Sequence, residues 1–337
     1  MKEKACFVGQ ESQINRVYRE TAPILMNELE FPAEVITPSN VEQYKDFAAE
    51  CKYIFTTWGM VKGLADYFKS CEVVFYGAGS VQHFAREYLE RGVKVASSWV
   101  ANGVPVAEVT VSQIILACKG FYKLAAVGGG GVKSFQGWRD AGGIVGGNYK
   151  GNYGRKIGIL GAGTIGRRVI DYLKRLDLKA EILVHDPYYS DESAAAAGVR
   201  KASLEEIFET CAVVSNHIAN LPSTVGMINK AHFALMQNYS TFINTGRGAQ
   251  IVEDDLIDAL KNNATLTAIL DVTHPEPPAD DSELYKLDNV ILTPHIAGCI
   301  GDEVLRMAEY MYDEYKLYST EKKLNYEVTI DMLEYMA

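Results

Sequence analysis

Three residues with strong chemical character each stand just after a short apolar run. Arg247 follows Thr241-Phe242-Ile243-Asn244, Glu276 follows Leu266-Thr267-Ala268-Ile269-Leu270-Asp271-Val272, and His295 follows Val290-Ile291-Leu292. If these runs are strands of one parallel sheet, all three side chains lie beyond the carboxyl ends of the strands, where an open α/β sheet takes its ligands. Arginine grips a carboxylate through two parallel hydrogen bonds, and the glycines flanking Arg247 (Gly246, Gly248) leave room for a ligand. Imidazole exchanges a proton near neutral pH, and a carboxylate hydrogen-bonded to it orients the ring. Reducing the carbonyl of a small oxidised acid needs such an anchor and such a proton donor for the developing alkoxide. Asp271, at the end of its run, is either a ligand for a nicotinamide carboxamide or a structural cap. His83 and His232 fall in helical stretches as surface or packing residues, and His274 adds no second signal.

The hydride would come from a dinucleotide. Gly161-Ala162-Gly163-Thr164-Ile165-Gly166 follows the apolar run Lys156-Ile157-Gly158-Ile159-Leu160 and opens a helix with Ile165, Val169, Ile170 and Leu173 on one face. In that context Gly161 makes the tight turn, Gly163 lets the backbone approach a pyrophosphate, and Gly166 lets helix and strand pack closely. The helix N-terminus offers free N–H groups to the anion. The next run ends at Asp186, whose carboxylate suits two ribose hydroxyls and repels a 2′-phosphate, so the expected cofactor is NAD(H).

Positioning these groups requires two alternating series. Strands are expected at 5–8, 33–36, 53–56, 73–76 and 93–96, with helices at 11–29 and 82–90. A second series has six strands, at 156–160, 180–184, 212–215, 241–244, 267–271 and 290–292, with helices such as 165–178 and 253–261 between them. Alternation of this kind gives an α/β fold with parallel, helix-covered sheets. Between the series lies an apolar helix, 105–122, with Pro105 in its first turn. It should be buried between domains or subunits. A glycine-rich stretch, 127–154, reads as an irregular excursion. From Gly301 the tail carries a helical stripe (Val304, Ala308, Met311, Tyr315, Tyr318) and is placed to return to the first domain.

A formal net charge of -10 argues against a general nucleic-acid binder. No signal-like segment or membrane span is expected, and six cysteines without a CxxC pair read as reduced thiols, pointing to the cytoplasm. No metal site is expected.

The segments Gly158 to Gly166, Asn244-Thr245-Gly246-Arg247-Gly248, Leu270-Asp271-Val272 through Pro275-Glu276-Pro277, and Asn289 to Gly298 together resemble the D-isomer-specific 2-hydroxyacid dehydrogenases. Gly77-Ala78-Gly79-Ser80 and Val106-Ala107-Glu108 extend the resemblance more faintly upstream. It implies two doubly wound parallel-sheet domains, with a Rossmann cofactor domain (103–299) inserted into a flavodoxin-like substrate domain (1–102 plus 300–337). The active site would be the cleft between them, closed by a hinge near residues 100 and 300, in a homodimer. Carried over, Arg247, Glu276 and His295 form the catalytic triplet. Gly161, Gly163, Thr164, Ile165, Gly166, Asp186, His217, Pro222, Thr245 and Asp271 would contact NAD, and Trp58, Gly77, Ala78, Gly79, Asn102 and Arg247 the substrate. The loop at Gly77 would offer N–H groups to the substrate carboxylate. Trp58 stands where phosphate-recognising members tend to place basic residues, and with Trp99 it suggests an uncharged substrate side chain. The regulatory extension of many phosphoglycerate dehydrogenases is not evident. The implied activity is reversible, NAD-dependent reduction of a small 2-oxo acid to the D-2-hydroxy acid. The alternatives are 3-phosphoglycerate dehydrogenation and a non-enzymatic NAD-sensing co-repressor on the same fold.

Overall fold

A computed structural model describes residues 2–126, 134, 136–140, 148–149 and 151–334. Most of the expected glycine-rich excursion at 127–154 therefore lies outside the described residues. The chain divides into two compact units, Met1–Gly103 with Cys299–Ala337, and Val104–Gly298.

The first unit holds β1 (Ala5–Phe7), β2 (Tyr53–Thr56), β3 (Val73–Tyr76) and β4 (Lys94–Ser97) side by side and parallel. A return strand, β12 (Glu327–Val328), closes the edge antiparallel to β4. Successive residues alternate between two cores, as strand geometry requires. Cys6, Ile54, Val74 and Val95 pack on one face, while Phe7, Tyr53, Phe55 and Phe75 pack on the other under the tail helix Val304–Glu321. The expected strand at 33–36 reduces to one bridge, Val8 to Ile36, on the free side of β1. Pro32 before it and the turn after Thr37 leave only Ile36 to exchange backbone hydrogen bonds with this strand. Counting that bridge, the order is that of a flavodoxin-like sheet. The expected helix 11–29 is two helices, Glu11–Val17 and Ala22–Glu28. Pro23 falls in the first turn of the second helix, where no helical N–H is needed, so a new helix starts there. His83 lies in a turn rather than a helix, its ring edge-on to Tyr76 and Phe84.

The second unit is a seven-stranded, all-parallel sheet in the order β11-β10-β9-β8-β5-β6-β7. The strands are β5 (Lys156–Leu160), β6 (Glu181–His185), β7 (Arg200–Lys201), β8 (Val213–Asn216), β9 (Thr241–Asn244), β10 (Thr267–Leu270) and β11 (Val290–Leu292). The expected count of six missed β7, a two-residue edge strand exposed at both positions, which carries no hydrophobic signal. The chain winds outward from β5 to β7, then crosses to β8 and winds the other way. That reversal opens a crevice between the carboxyl ends of β5 and β8. Helix Thr164–Arg175 buries Gly166, Val169, Ile170 and Leu173 on the sheet, the spacing of one helical face.

The apolar helix begins earlier than expected, spanning Trp99–Cys118, so Pro105 lies inside it. Its missing N–H leaves the Ala101 carbonyl without the helical donor. Cys299 Sγ lies 3.9 Å from that oxygen and Cys299 N–H donates to Asn102 Oδ1 at 3.0 Å. Among the described residues this helix alone is long and apolar enough to cross a membrane, and most of it is buried in the protein.

Candidate active site

The glycine loop leaves β5 at the crevice. Gly161 has φ +89°, and a Cβ there would stand 2.7 Å from the His217 carbonyl, which leads out of β8. A Cβ at Gly166 would meet the Gly161 oxygen at 2.0 Å, so the first helical turn sits directly on the loop. A Cβ at Gly163 meets nothing, which leaves its backbone open to the close approach of a pyrophosphate. Asp186, at the end of β6, accepts from Ala162 N–H at 2.6 Å and from Tyr188 N–H at 2.8 Å, which fixes its carboxylate beside the loop. On the other wall His217 Nε2 lies 2.9 Å from Ser215 Oγ, while Nδ1 is inaccessible and has no hydrogen-bond partner among the described residues. Burial pushes this imidazole down to about 4. Pro222 opens a short 3-10 turn, Pro222–Thr224, farther along the same loop. These residues fit a dinucleotide.

Three adjacent strands deliver the reactive groups. Asn244, Leu270 and Leu292 are in register on β9, β10 and β11, so the loops carrying Arg247, Glu276 and His295 leave the sheet side by side. His295 Nδ1 lies 2.5 Å from Glu276 Oε1. Both side chains are about half exposed, at 47% and 40%. Arg247 is more enclosed: burial lowers its guanidinium below the usual arginine value, and the charge of Glu276 opposes that shift. Its Nη1 donates to the Gly246 carbonyl at 2.8 Å, and its Nε and Nη2 have no hydrogen-bond partner among the described residues. The two loops touch at Gly248, where a Cβ would fall 2.0 Å from the Thr273 carbonyl carbon.

Asp271 acts as a cap. Its carboxylate accepts from Thr293 Oγ1 at 2.6 Å, Ile296 N–H at 2.8 Å and Ala297 N–H at 2.9 Å, and its carbonyl accepts from His295 N–H at 3.0 Å. These bonds hold His295 at φ +54°, a left-handed conformation that a non-glycine residue adopts only when its surroundings impose it. Thr245 is buried and shares a hydrogen bond with Thr110 on the long helix (2.9 Å). Asn244, which opens the Arg247 motif, joins Asn216 and Gln250, which belong to no motif, in a buried amide cluster beneath Arg247.

In the first unit the loop after β3 differs from expectation. Gly77 N–H donates to Thr56 O at 2.7 Å and Ala78 N–H to Tyr76 O at 2.9 Å, so neither is open to a carboxylate. Within Gly77–Ser80, the N–H groups without a partner among the described residues belong to Gly79 and Ser80. The carbonyls of Gly77, Ala78 and Gly79 are occupied by the Thr57 and Ser97 hydroxyls. Asn102 Nδ2 stands beside Gly79. Trp58 packs against both cores of this unit, and the Arg16 guanidinium lies over its ring, 5.7 Å from the centroid. A cation thus stands where linear reading placed only an indole. Among the described residues, no group of three or more His, Cys, Asp or Glu is placed to hold a metal.

Residues 136–297 match the family model for the D-isomer specific 2-hydroxyacid dehydrogenase, NAD binding domain. D-3-phosphoglycerate dehydrogenase of Haemophilus influenzae is 35% identical over 221 residues, 63% of this chain and 50% of that protein. The chain spans about half or less of the length of the curated relatives it matches. Among solved structures, apo D-mandelate dehydrogenase of Rhodotorula graminis shares the fold with a TM-score of 0.78 at 22% identity, over 97% of each chain. A phosphoglycerate oxidoreductase from Rhizobium etli has a TM-score of 0.80 at 18% identity, covering 98% of this chain and 100% of that one. The second unit of this chain contains the NAD-binding domain of the D-isomer specific 2-hydroxyacid dehydrogenases.

Proposed function

We propose that this protein is an NAD-dependent oxidoreductase that reversibly reduces a small 2-oxo acid to the D-2-hydroxy acid. The observation that carries this reading is the 2.5 Å contact between His295 and Glu276, beside a half-enclosed Arg247 on the sheet edge that also bears the glycine loop. NADH, when bound, supplies the hydride. Arg247 uses its unpaired donors to hold the substrate carboxylate, and partial burial strengthens that grip because less water competes. Glu276 accepts the Nδ1 hydrogen of His295, which fixes the tautomer and leaves Nε2 to give its proton to the developing alkoxide. In the oxidative direction the same nitrogen takes the proton back. Asp186 favours NADH, and efficient turnover with NADPH would count against that role. Gly79, Ser80, Asn102 and Trp58 are proposed to contact the substrate, with residues 1–102 and 300–337 as the substrate-binding domain. A cytoplasmic homodimer that binds neither nucleic acid nor membrane completes the reading, supported by the acidic charge balance and testable by sedimentation.

A second reading, oxidation of 3-phosphoglycerate, is favoured by the curated relatives of that name and by the Arg16 cation over Trp58. NADH oxidation against a panel of 2-oxo acids, neutral and phosphorylated, separates the two. His295→Ala should lower kcat by roughly 100- to 10,000-fold with NADH affinity intact. Arg247→Ala should act mainly on KM. Retention of most of the rate by His295→Ala would remove the imidazole from the mechanism, and NADH binding without turnover of any acid would favour a sensor.

A further inference from the structure

We infer that Asn216, Asn244 and Gln250 are positioning residues that set the main chain of Arg247, and through it the grip on the substrate carboxylate. The inference rests on the reading of Arg247 as carboxylate anchor. Asn216 and Asn244 end the neighbouring strands β8 and β9 and are register partners. With Gln250 they are fully buried, at 0% exposure. Asn216 Nδ2 donates to Asn244 Oδ1 at 3.0 Å and to Gln250 Oε1 at 2.9 Å. Asn244 Nδ2 then donates to the Arg247 carbonyl at 3.0 Å, and Gln250 Oε1 accepts the Arg247 N–H at 3.1 Å. Both main-chain groups of the anchor are therefore bonded to side chains. Asn244 Oδ1 also accepts Gly246 N–H at 3.1 Å, which fixes the residue before it.

Stability alone does not account for this cluster. Gln250 Nε2 is buried and has no hydrogen-bond partner among the described residues. An apolar side chain of similar size would spare the cost of an unmet donor. What the amide supplies is Oε1, which faces the Arg247 N–H. The other end of the cluster reaches the cofactor crevice: Asn216 Oδ1 accepts Ile218 N–H at 3.2 Å, in the loop whose His217 carbonyl touches the glycine turn. One buried amide, Asn216, thus references the substrate anchor to the cofactor loop, where small displacements cost rate steeply.

The test compares Gln250→Met, which removes the acceptor, with Gln250→Glu, which keeps it, and with Asn244→Asp, which removes the donor to the Arg247 carbonyl. The readouts are KM for the 2-oxo acid, the affinity of the NADH complex for oxamate (a 2-oxo acid isostere), NADH affinity and Tm. Gln250→Met and Asn244→Asp should weaken substrate and oxamate affinity roughly tenfold with NADH affinity unchanged. Gln250→Glu should recover most of the loss, because Nε2 has no partner to lose. Unchanged substrate affinity in Gln250→Met and Asn244→Asp overturns the inference, as does a parallel fall in NADH affinity or a Gln250→Glu variant as weak as Gln250→Met. If Gln250→Met does not fold, Asn244→Asp and Gln250→Glu decide the matter by the same readouts. A wild-type protein that neither reduces a 2-oxo acid nor binds oxamate overturns the functional reading and this inference with it, whereas an active wild type with unmoved variants overturns the inference alone.

Discussion

His217 shows how a single side chain records its surroundings. With Nδ1 sealed in and unpaired, the ring is held neutral, and its pKa falls from the ordinary histidine range to about 4. A histidine with a depressed folded-state pKa stabilises the fold fully above its unfolded value near 6.5 and loses that contribution as pH falls toward 4. The span corresponds to about 3 kcal/mol. Urea unfolding between pH 7.5 and 4.5 should therefore show the wild type losing more stability than His217→Gln, and parallel curves would mean that the ring is not held neutral. Arg247, Glu276 and His295 were legible in the linear sequence because each sits a fixed step beyond a strand that an apolar run announces. Asn216 and Gln250 were not, and Asn244 was read only as part of the Arg247 motif, since a buried amide has no periodicity and its partners come from different segments. Arg16 was hidden for a related reason: it meets Trp58 across 42 positions of chain, from a helix whose charge pattern looks like ordinary surface.

At the scale of elements, two glycines control how closely segments approach. At Gly166 an added methyl would overlap the Gly161 carbonyl, so Gly166→Ala should push the helix off the phosphate loop. A loss of about 1–3 kcal/mol of stability and weaker NADH binding are expected, read by thermal shift and fluorescence titration. Gly248 separates the Arg247 loop from the Glu276 loop. There Gly248→Ala should cut kcat/KM roughly 100-fold while leaving NADH affinity in place. Loss of NADH binding in step would show that the substitution acts on the whole sheet edge. Strands and long helices followed from apolar patterning wherever both faces are buried, as in β5, β8, β9 and β10. Patterning failed where backbone decides: at Pro23, which opens the first turn of a second helix, at residues 33–36, where only one residue reaches its neighbour, and at β7, whose exposed side chains leave only hydrogen bonds as a signature.

For the whole molecule, each unit has a pair of hydrophobic cores drawn from its own residues. Calorimetry should resolve two unfolding transitions, and NADH at about 100 times its Kd should stabilise one of them by about 2.7 kcal/mol. A single transition shifted as a block would show that the units unfold together. The side-by-side placement of Asn102 and Cys299, joined by a hydrogen bond from the Cys299 amide, bears on heredity as well as on mechanics. A polypeptide that leaves its host at one residue and rejoins it at a hydrogen-bonded neighbour can be removed like a cassette. A short turn joining residue 102 to residue 299 would close the host without stretching it, and the released segment would carry its own parallel sheet. The arrangement lets the inserted module be exchanged as one whole piece of gene.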